Sequence, residues 1–340
     1  MAASILVTGG AGYIGSHTTV ELINAGYNVI IADNFCNSQS FILERISEIT
    51  GRQVPFYKVD VNNKDATQKI FSENKIDAVI HFAAYKSVAE SAQDPLKYFH
   101  NNLYSLINLL EVMREYNVAN IVFSSSATVY GEPDALPATE QTPFKKALSA
   151  YGSTKQTGEE VLEKVAAAGK LNSIALRYFN PVGAHESALI GELPIGIPNN
   201  LFPYVMQTAS GKLKQLTVFG DDYNTIDGSC VRDYIHVVDL AKAHVLACRR
   251  LLEQKNVNAF EVFNLGTGQG TSVLQVIQTF EKVTGRPLSY TIGKRREGDA
   301  ASIYADAAKA EALLPWKATL SLEEMIASSW KWEQSLNRTQ

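Results

Sequence analysis

A glycine-rich segment near the start of the chain constrains the fold more than any other feature. Residues 8–16 read TGGAGYIGS; they follow the short apolar run 5–7 and open a stretch with helical spacing. Glycines at Gly9, Gly12 and Gly15 permit a tight turn, close approach of the backbone to an anion, and close packing of the following helix. The N-terminus of that helix offers unpaired N–H groups. The segment therefore predicts a phosphate-binding turn of the dinucleotide type.

A carboxylate at the end of the next apolar run indicates which dinucleotide binds. Asp33 follows residues 29–31, where a carboxylate can bind both ribose hydroxyls of adenosine and repel a 2′-phosphate. Residues 34–38 read NFCNS and contain no Arg or Lys that would compensate. NAD is therefore predicted rather than NADP. Asp60 and Val61 follow the third apolar run, where the adenine would lie, although a turn cap explains Asp60 equally well.

Alternating strand and helix patterns predict the fold class. Apolar runs rich in β-branched residues occur at 5–7, 29–31, 56–59, 78–82, 120–123 and 174–178, with helical segments at 14–25, 95–116 and 150–168. This order predicts a Rossmann-type, doubly wound parallel sheet with helices on both faces. After residue 180, prolines and glycines predict an irregular, smaller mixed α/β substrate lobe. We expect an NAD-binding domain at 1–180 that regains segments around 234–266, and a discontinuous smaller domain at 181–340.

Charge and cysteine usage exclude several classes of protein. The chain has 31 Lys and Arg against 35 Asp and Glu, a net charge of −4, without long runs of one sign, so no nucleic-acid surface is predicted. Three separate cysteines and six histidines show neither disulfide nor metal-ligand spacing. No apolar run has the length of a membrane helix, and the N-terminus does not resemble a signal peptide. These features predict a cytoplasmic protein without a metal.

A tyrosine and a lysine at helical spacing are the candidate catalytic pair. Tyr151 and Lys155 are four residues apart, so both side chains lie on one face of the predicted helix. A tyrosine is a poor base at neutral pH, but a fixed ammonium and a nearby nicotinamide cation favour its phenolate. The serine run 124–126 ends the fifth predicted strand, at the edge where such sheets bind ligands. A hydroxyl there can share a proton with a substrate oxygen.

The combined pattern resembles the extended short-chain dehydrogenase/reductase family, and within it the 4-epimerases of UDP-hexoses. The resemblance rests on residues 8–17, 33–38, 81–86, 123–131, 177–185, 196–201, 231–240 and 295–299, together with Tyr151 and Lys155. It implies an isomerase of galactose metabolism in which bound NAD transiently oxidises C4, so that UDP-galactose and UDP-glucose interconvert. Tyr151 would take the 4-hydroxyl proton, Ser126 would hydrogen-bond that oxygen, and Lys155 would hold the ribose and lower the pKa of Tyr151.

The resemblance also assigns two sets of binding residues and a homodimer through helices 95–116 and 150–168. For the cofactor it implies Gly9, Gly12, Tyr13, Ile14, Gly15, Asp33, Asn34, Asn37, Ser38, Asp60, Val61, Phe82, Ala83, Lys86, Asn101, Ser124, Tyr151, Lys155 and Tyr178. For the UDP-hexose it implies Lys86, Ser126, Tyr151, Phe179, Asn180, Asn200, Leu201, Leu216, Phe219, Arg232, Arg296, Asp299 and Ile303. Two arginines suit a diphosphate, because a guanidinium donates two parallel hydrogen bonds. The side chain of Ile303 would set the room beside the sugar, which leaves acceptance of N-acetylated sugars open.

Two other functions remain as alternatives at this point. The first is another nucleotide-sugar enzyme of the same family, a dehydratase or decarboxylase; dehydration needs an acidic pair after the strand-five hydroxyl, where this chain has Ala127 and Thr128. The second is a non-catalytic NAD-binding regulator. Such a protein would not need Ser126, Tyr151 and Lys155 together, so an enzyme is favoured.

Overall fold

The computed structural model describes residues 2–296 and 300–338. The strands are β1 Ser4–Thr8, β2 Asn28–Asp33, β3 Phe56–Lys58, β4 Ala78–His81, β5 Asn120–Ser124, β6 Asn172–Tyr178, β7 Asn180–Val182, β8 Leu216–Phe219, β9 Val231–Arg232, β10 Tyr234–His236, β11 Phe260–Leu265, β12 Thr271–Ser272, β13 Tyr290–Gly293 and β14 Ser302–Ile303. The helices are α1 Tyr13–Asn24, α2 Phe41–Thr50, α3 Lys64–Glu73, α4 Val88–Gln93, α5 Pro95–Glu115, α6 Ala150–Ala167, α7 Leu201–Ala209, α8 Val237–Leu252, α9 Val273–Thr284, α10 Ala308–Leu313 and α11 Leu322–Arg338. A 3-10 turn spans Ala127–Tyr130.

A seven-stranded parallel sheet confirms the predicted doubly wound fold. Its strand order is β11-β6-β5-β4-β1-β2-β3, so the direction of winding reverses at β1. In such sheets ligands bind at the carboxyl ends of the strands beside the reversal point. Thr8, Asp33, His81, Ser124 and Tyr178 end five of these strands. The fold therefore brings five predicted functional segments to one edge.

Alternation of side chains along the strands divides the core into two layers. Ile5 and Val7 point to the face covered by α1 and α8, while Leu6 between them points to the face covered by α3, α5 and α6. Both faces are covered, which explains why the strands read as continuous apolar runs. Helix α6 consequently packs directly beside β5 and β6, the strands that end at Ser124 and Tyr178.

The region after residue 180 is more regular than expected from its prolines. Helices α7, α9 and α11 pack around a core that includes Phe202, Tyr234 and Phe280, and short strands form three further sheets there. Pro203 lies in the first turn of α7, where a missing N–H costs no helix hydrogen bond. The expectation of irregular structure was therefore wrong for this helix. Strand β11 pairs with β6 and returns the chain to the main sheet.

The described part of the chain contains neither a membrane-spanning helix nor a group of side chains arranged to bind a metal ion. No helix there is long and apolar enough to cross a bilayer. Within the same residues, no three His, Cys, Asp or Glu side chains are grouped to hold a metal ion.

Four buried histidines predict loss of stability in mild acid. Burial lowers the pKa to about 3 for His17 and His81 and to about 4 for His236 and His244. Unfolded histidine has a pKa of about 6.5, so below that pH the unfolded chain binds more protons than the folded one. The free energy of unfolding should therefore fall between pH 6.5 and 5, by up to about 1.4 kcal/mol per pH unit for each histidine.

Urea denaturation at pH 7, 6 and 5 measures this slope. His244→Gln should reduce it, because one of the buried titrating groups is removed, whereas His100→Gln should leave it unchanged, because His100 is exposed. A slope that His244→Gln does not alter would contradict the assignment.

Candidate active site

The glycine turn forms a cradle that side chains would fill. Gly9 has a φ of +71°, and a Cβ there would lie 2.9 Å from the backbone N of Ala83. A Cβ on Gly15 would lie 2.2 Å from the Gly9 carbonyl oxygen. Helix α1 begins after Gly12 with no side-chain cap and no acidic residue in its first turn. The N–H groups of Tyr13, Ile14 and Gly15 have no acceptors within their own helix, so the turn fits an anionic pyrophosphate.

Asp33 organises the loops on both sides of this cradle. One carboxylate oxygen accepts from the Ala11 N–H at 3.1 Å, and the other accepts from the Phe35 N–H at 2.8 Å and the Ser38 hydroxyl at 2.9 Å. The side chain is only 7% exposed. The carboxylate is thus held beside the glycine turn, as predicted for a group that binds a ribose diol.

The predicted adenine-side residues lie together. The Asp60 carboxylate accepts from the N–H of Asn62 at 2.9 Å and from the amide of Asn34 at 3.3 Å. The turn-cap interpretation of Asp60 is therefore correct, and the cap also holds Asn34. Val61 is buried, and the Asn101 amide oxygen accepts from the Asn62 side chain at 3.1 Å. Asn37 is exposed at the edge of this group.

The loop after β4 connects the sheet edge to the smaller lobe. Phe82 donates its N–H to the Thr8 carbonyl at 3.0 Å, which places Ala83 against Gly9. Lys86 then reaches Glu192, with Nζ 3.2 Å from Oε1. The same Glu192 oxygen accepts from the Asn200 amide at 2.8 Å, so one carboxylate joins two predicted binding residues from opposite sides.

Tyr151, Ser126 and Lys155 meet at the end of β5, as the sequence predicts. The Ser126 oxygen accepts from the Thr128 N–H at 3.2 Å, which leaves the hydroxyl proton available to donate. Lys155 donates to the Ser124 carbonyl at 2.6 Å and lies 5.7 Å from the centroid of the Tyr151 ring. Ser124 and Tyr178 share a hydrogen bond of 2.5 Å between their hydroxyls.

Burial dominates the protonation of this site in the ligand-free protein. It raises the pKa of Tyr151 to about 12, although hydrogen bonding to Ser126 opposes the shift. It lowers the pKa of Lys155 to about 8, against the charge of Glu159. The net shift of the Tyr151 pKa is therefore upward, opposite to the direction expected from Lys155, because removal of water from the phenol is the largest effect.

The predicted substrate residues occupy neighbouring elements. Arg232 on β9 pairs in register with Ile303 on β14, and its guanidinium donates to the Val231 and Ala300 carbonyls at 2.9 and 2.8 Å. Ile303 packs on the cluster that contains Phe179 and Ala127, next to Ser126. These contacts place Arg232 and Ile303 beside the turn 124–126 that carries Ser126, called the catalytic turn below.

The remaining substrate residues surround Arg232 and Ile303. The Arg296 guanidinium lies 5.6 Å from the Phe219 ring centroid, and Leu216 is buried at the start of the same strand. Asn180 donates its N–H to the Asp233 carbonyl at 3.0 Å, and Asn200 precedes Leu201 at the start of α7. Asp299 lies outside the described residues.

Sequence reasoning missed three residues that hold the site together. Asn102 clamps the backbone of Tyr85 with two hydrogen bonds of 2.9 and 3.0 Å and reaches Thr154 on α6. Asp233 is fully buried, and its carboxylate accepts from the N–H groups of residues 267, 268 and 305. Glu192 makes the bridge described above. None of them has a local signal beyond its residue type, since their partners are distant in sequence.

Comparisons with known proteins identify the family of this chain. The sequence model of the family described as "NAD dependent epimerase/dehydratase family" matches residues 5–266. A UDP-glucose 4-epimerase of Bacillus subtilis (strain 168) is 54% identical over 333 residues, covering 98% of this chain and 97% of that protein.

Two solved structures have the same overall fold. The UDP-glucose-4-epimerase of Stenotrophomonas maltophila, with bound NAD and formylated UDP-arabinopyranose, superposes with a TM-score of 0.96 at 49% identity, covering 99% of this chain and all of that one. The UDP-glucose 4-epimerase of Bifidobacterium longum, in complex with NAD+ and UDP, gives a TM-score of 0.94 at 51% identity, covering 98% of each chain.

Proposed function

This chain belongs to the NAD dependent epimerase/dehydratase family, and on that premise we propose that it is an isomerase that interconverts UDP-glucose and UDP-galactose. The observation that carries the proposal is the meeting of Tyr151, Ser126 and Lys155 beside an NAD-type glycine turn. The UDP-glucose 4-epimerases compared above match nearly the whole chain, so both lobes fit this activity.

Residues at the sheet edge would hold NAD. The glycine cradle and the start of α1 suit its pyrophosphate, and the buried Asp33 carboxylate suits the hydroxyls of its adenosine ribose. Lys155, Tyr178 and Ser124 lie at the other end of the edge, where the nicotinamide half would reach. When bound, NAD supplies reversible oxidation of the C4 hydroxyl of the sugar to a ketone.

Tyr151 and Ser126 would handle the proton of that hydroxyl. Ser126 can donate to the sugar O4, because its oxygen already accepts from the Thr128 N–H. The Tyr151 oxygen would accept the O4 proton during oxidation and return it during reduction. Lys155 is fixed by the Ser124 carbonyl, and its positive charge near the Tyr151 ring favours the phenolate.

The smaller lobe would hold the nucleotide while the sugar turns over. Epimerisation requires the ketone to present both faces, so binding energy must come from the part that does not react. Arg232 and Arg296 supply charge for the diphosphate, and Phe219, 43% exposed, offers a ring surface for the base. Ile303 would border the sugar, because it packs on the cluster that contains Phe179 and Ala127, next to Ser126.

Dehydration is not favoured by the catalytic turn. After Ser126 the chain continues with Ala127, which is buried in the Phe179 cluster, and with Thr128 in the 3-10 turn. Neither side chain carries a carboxylate that would exchange protons at C5 or C6. A non-catalytic role leaves the convergence of the three reactive side chains unexplained.

In the decisive experiment, purified protein is incubated with UDP-galactose and no added cofactor, and the formation of UDP-glucose is measured. We expect UDP-glucose to form, because the NAD used in oxidation is regenerated within each turnover. The NAD content of the same preparation is measured in parallel after denaturation. Protein that retains NAD but forms no UDP-glucose would overturn the proposed function.

We further propose that two copies associate through α5. This helix exposes Leu96, Tyr104 and Ile107, which recur at spacings that share one helix face. Helix α6 packs beside it but exposes no large apolar side chain of its own. The apolar half of the interface is therefore assigned to α5, and α6 borders it.

Charge placed on this face should separate the copies. Tyr104→Glu combined with Ile107→Glu is expected to convert a dimer into a monomer in light scattering behind size-exclusion chromatography. Ile226→Glu is the matched control, because Ile226 is 80% exposed on the loop between β8 and β9, away from α5 in the sequence. A wild-type monomer, or a dimer that survives the double change, would contradict the proposal.

The domain division and the cellular setting remain proposals. Residues 1–180 with the returning strand β11 would form the NAD-binding domain, and most of 181–340 would form the nucleotide-sugar domain. The three cysteines are all free thiols, which fits a cytoplasmic setting.

A further inference from the structure

A buried ion pair lies directly behind the catalytic turn. Glu159 on α6 and Arg177 on β6 have side chains only 3% and 6% exposed. Arg177 donates from Nε to Oε1 at 2.9 Å and from Nη2 to Oε2 at 2.6 Å, which is a bidentate geometry. Removing two charges from water is costly and does not by itself stabilise a fold. The other contacts of the Glu159 carboxylate point to a further role for the pair.

The carboxylate of Glu159 has a second partner in the catalytic turn. The Ser125 hydroxyl donates to Glu159 Oε1. Ser125 lies between Ser124, whose carbonyl receives the Lys155 ammonium, and Ser126. Glu159 itself follows Lys155 by one helical turn on the same buried face of α6. One carboxylate thus connects the strand end that carries Ser126 to the helix that carries the other two reactive groups.

The Glu159 carboxylate also acts on the charge of Lys155. The groups that interact with this lysine are Glu159 and Tyr151 on α6 and His81 on β4. Arg177 lies behind them on Glu159, and Tyr178 is linked to the lysine through Ser124. Burial keeps the histidine and tyrosines neutral, so Glu159 provides the negative charge among them. Its charge opposes the effect of burial, which lowers the pKa of Lys155 to about 8.

We propose that Glu159 is a positioning residue of the epimerase reaction, which fixes the turn 124–126 against α6 and holds a negative charge one helical turn from Lys155. This proposal rests on the proposed function. Glu159 touches neither substrate nor cofactor and acts through Ser125 and Lys155.

A second buried pair in the chain provides a matched control. Arg250 on α8 donates from Nε to Glu261 Oε2 at 2.7 Å and from Nη2 to Oε1 at 3.1 Å. These side chains are 9% and 5% exposed, close to the values for the first pair. The carboxylate contacts the Val257 N–H rather than the catalytic turn. Glu261→Gln therefore breaks an equivalent pair with no link to the reactive groups.

Glu159→Gln should lower kcat about 100-fold, the scale expected when reactive groups move by roughly an ångström. The KM for UDP-galactose and the calorimetric Kd for UDP should change little, because the nucleotide is held by the other lobe. The alkaline limb of the kcat profile should move to lower pH, because Lys155 loses its negative neighbour while Arg177 keeps its charge. Glu261→Gln should lose comparable thermal stability and keep the wild-type kcat and pH profile.

Ser125→Ala separates the two effects and serves if Glu159→Gln does not fold. It keeps the ion pair and removes the link to the turn, so kcat should fall about tenfold, the equivalent of one hydrogen bond, with the alkaline limb unmoved. Wild-type kcat in Ser125→Ala would overturn the proposal, as would a Glu159→Gln enzyme that matches Glu261→Gln in kcat or in pH profile. Wild-type protein that fails to convert UDP-galactose would instead overturn the proposed function.

Discussion

Replacing Tyr151 with phenylalanine is expected to reduce kcat about 10²- to 10⁴-fold, the range for loss of a general acid–base group. Phenylalanine preserves the buried ring and its position beside Lys155. The variant lacks the phenol oxygen, which is the group that would exchange the proton of the sugar O4. Ser126 can donate a hydrogen bond to O4, but a serine hydroxyl does not replace Tyr151 as the base. Initial rates of UDP-glucose formation from UDP-galactose measure the loss.

Two controls make the Tyr151→Phe result specific. UDP affinity and NAD content should remain near those of the wild type, because the proposed sites for the diphosphate of UDP and for the adenosine half of NAD are formed by other residues. Tyr57→Phe removes a hydroxyl that donates to Glu73 at 2.9 Å, on the adenine side of the sheet, and should leave kcat within about twofold. Near-wild-type turnover of Tyr151→Phe would mean that the base lies elsewhere.

The two perturbed groups also define when the site is competent. With a pKa of about 12, Tyr151 is protonated at neutral pH in the ligand-free protein, whereas Lys155, with a pKa of about 8, is mostly charged. Above pH 8 the lysine loses its proton, and its support for a phenolate at Tyr151 is lost.

Local patterns were sufficient to predict the elements that carry the site. The glycine turn, Asp33, Ser126 and the pair Tyr151 and Lys155 each follow a strand or share a helix face, and periodicity identifies both kinds of element. Their convergence follows from the rule that parallel strands end at one edge. The sequence therefore predicted which of these side chains the structure brings together at this edge, and their roles with the cofactor stay predictions.

Long-range polar contacts could not be predicted in this way. Glu159 and Glu192 are ordinary acidic residues on a helix and a loop, and their roles depend on Ser125 and Lys86, which come from other parts of the chain. The protonation of Tyr151 was also missed, because the degree of burial depends on how α6 packs against the sheet. Spacing along a chain reveals neighbours on one element, whereas these contacts join different elements.

Asp33 has the largest expected effect on cofactor retention. Its carboxylate accepts hydrogen bonds from two backbone N–H groups and one hydroxyl, so it organises the loops beside the glycine turn. In the proposed complex with NAD it would also face the ribose hydroxyls. Hydrogen bonds to a charged group contribute about 1.5–3 kcal/mol each. Loss of two such bonds to a ribose corresponds to at least about 100-fold in affinity.

Asp33→Ala should therefore leave purified protein largely without NAD, measured by release of the nucleotide on denaturation, while the Kd for UDP stays within about threefold. Asp239→Ala is a close structural match, since Asp239 is also buried and accepts from two backbone N–H groups and one hydroxyl, at Thr319 and Leu320. Both variants should lose stability, because each leaves three donors without an acceptor, but only Asp33→Ala should lose NAD. Equal loss of NAD and UDP affinity in Asp33→Ala would contradict the assignment of the two ligands to separate lobes, since the Asp33 carboxylate accepts from the glycine turn and from the loop after β2.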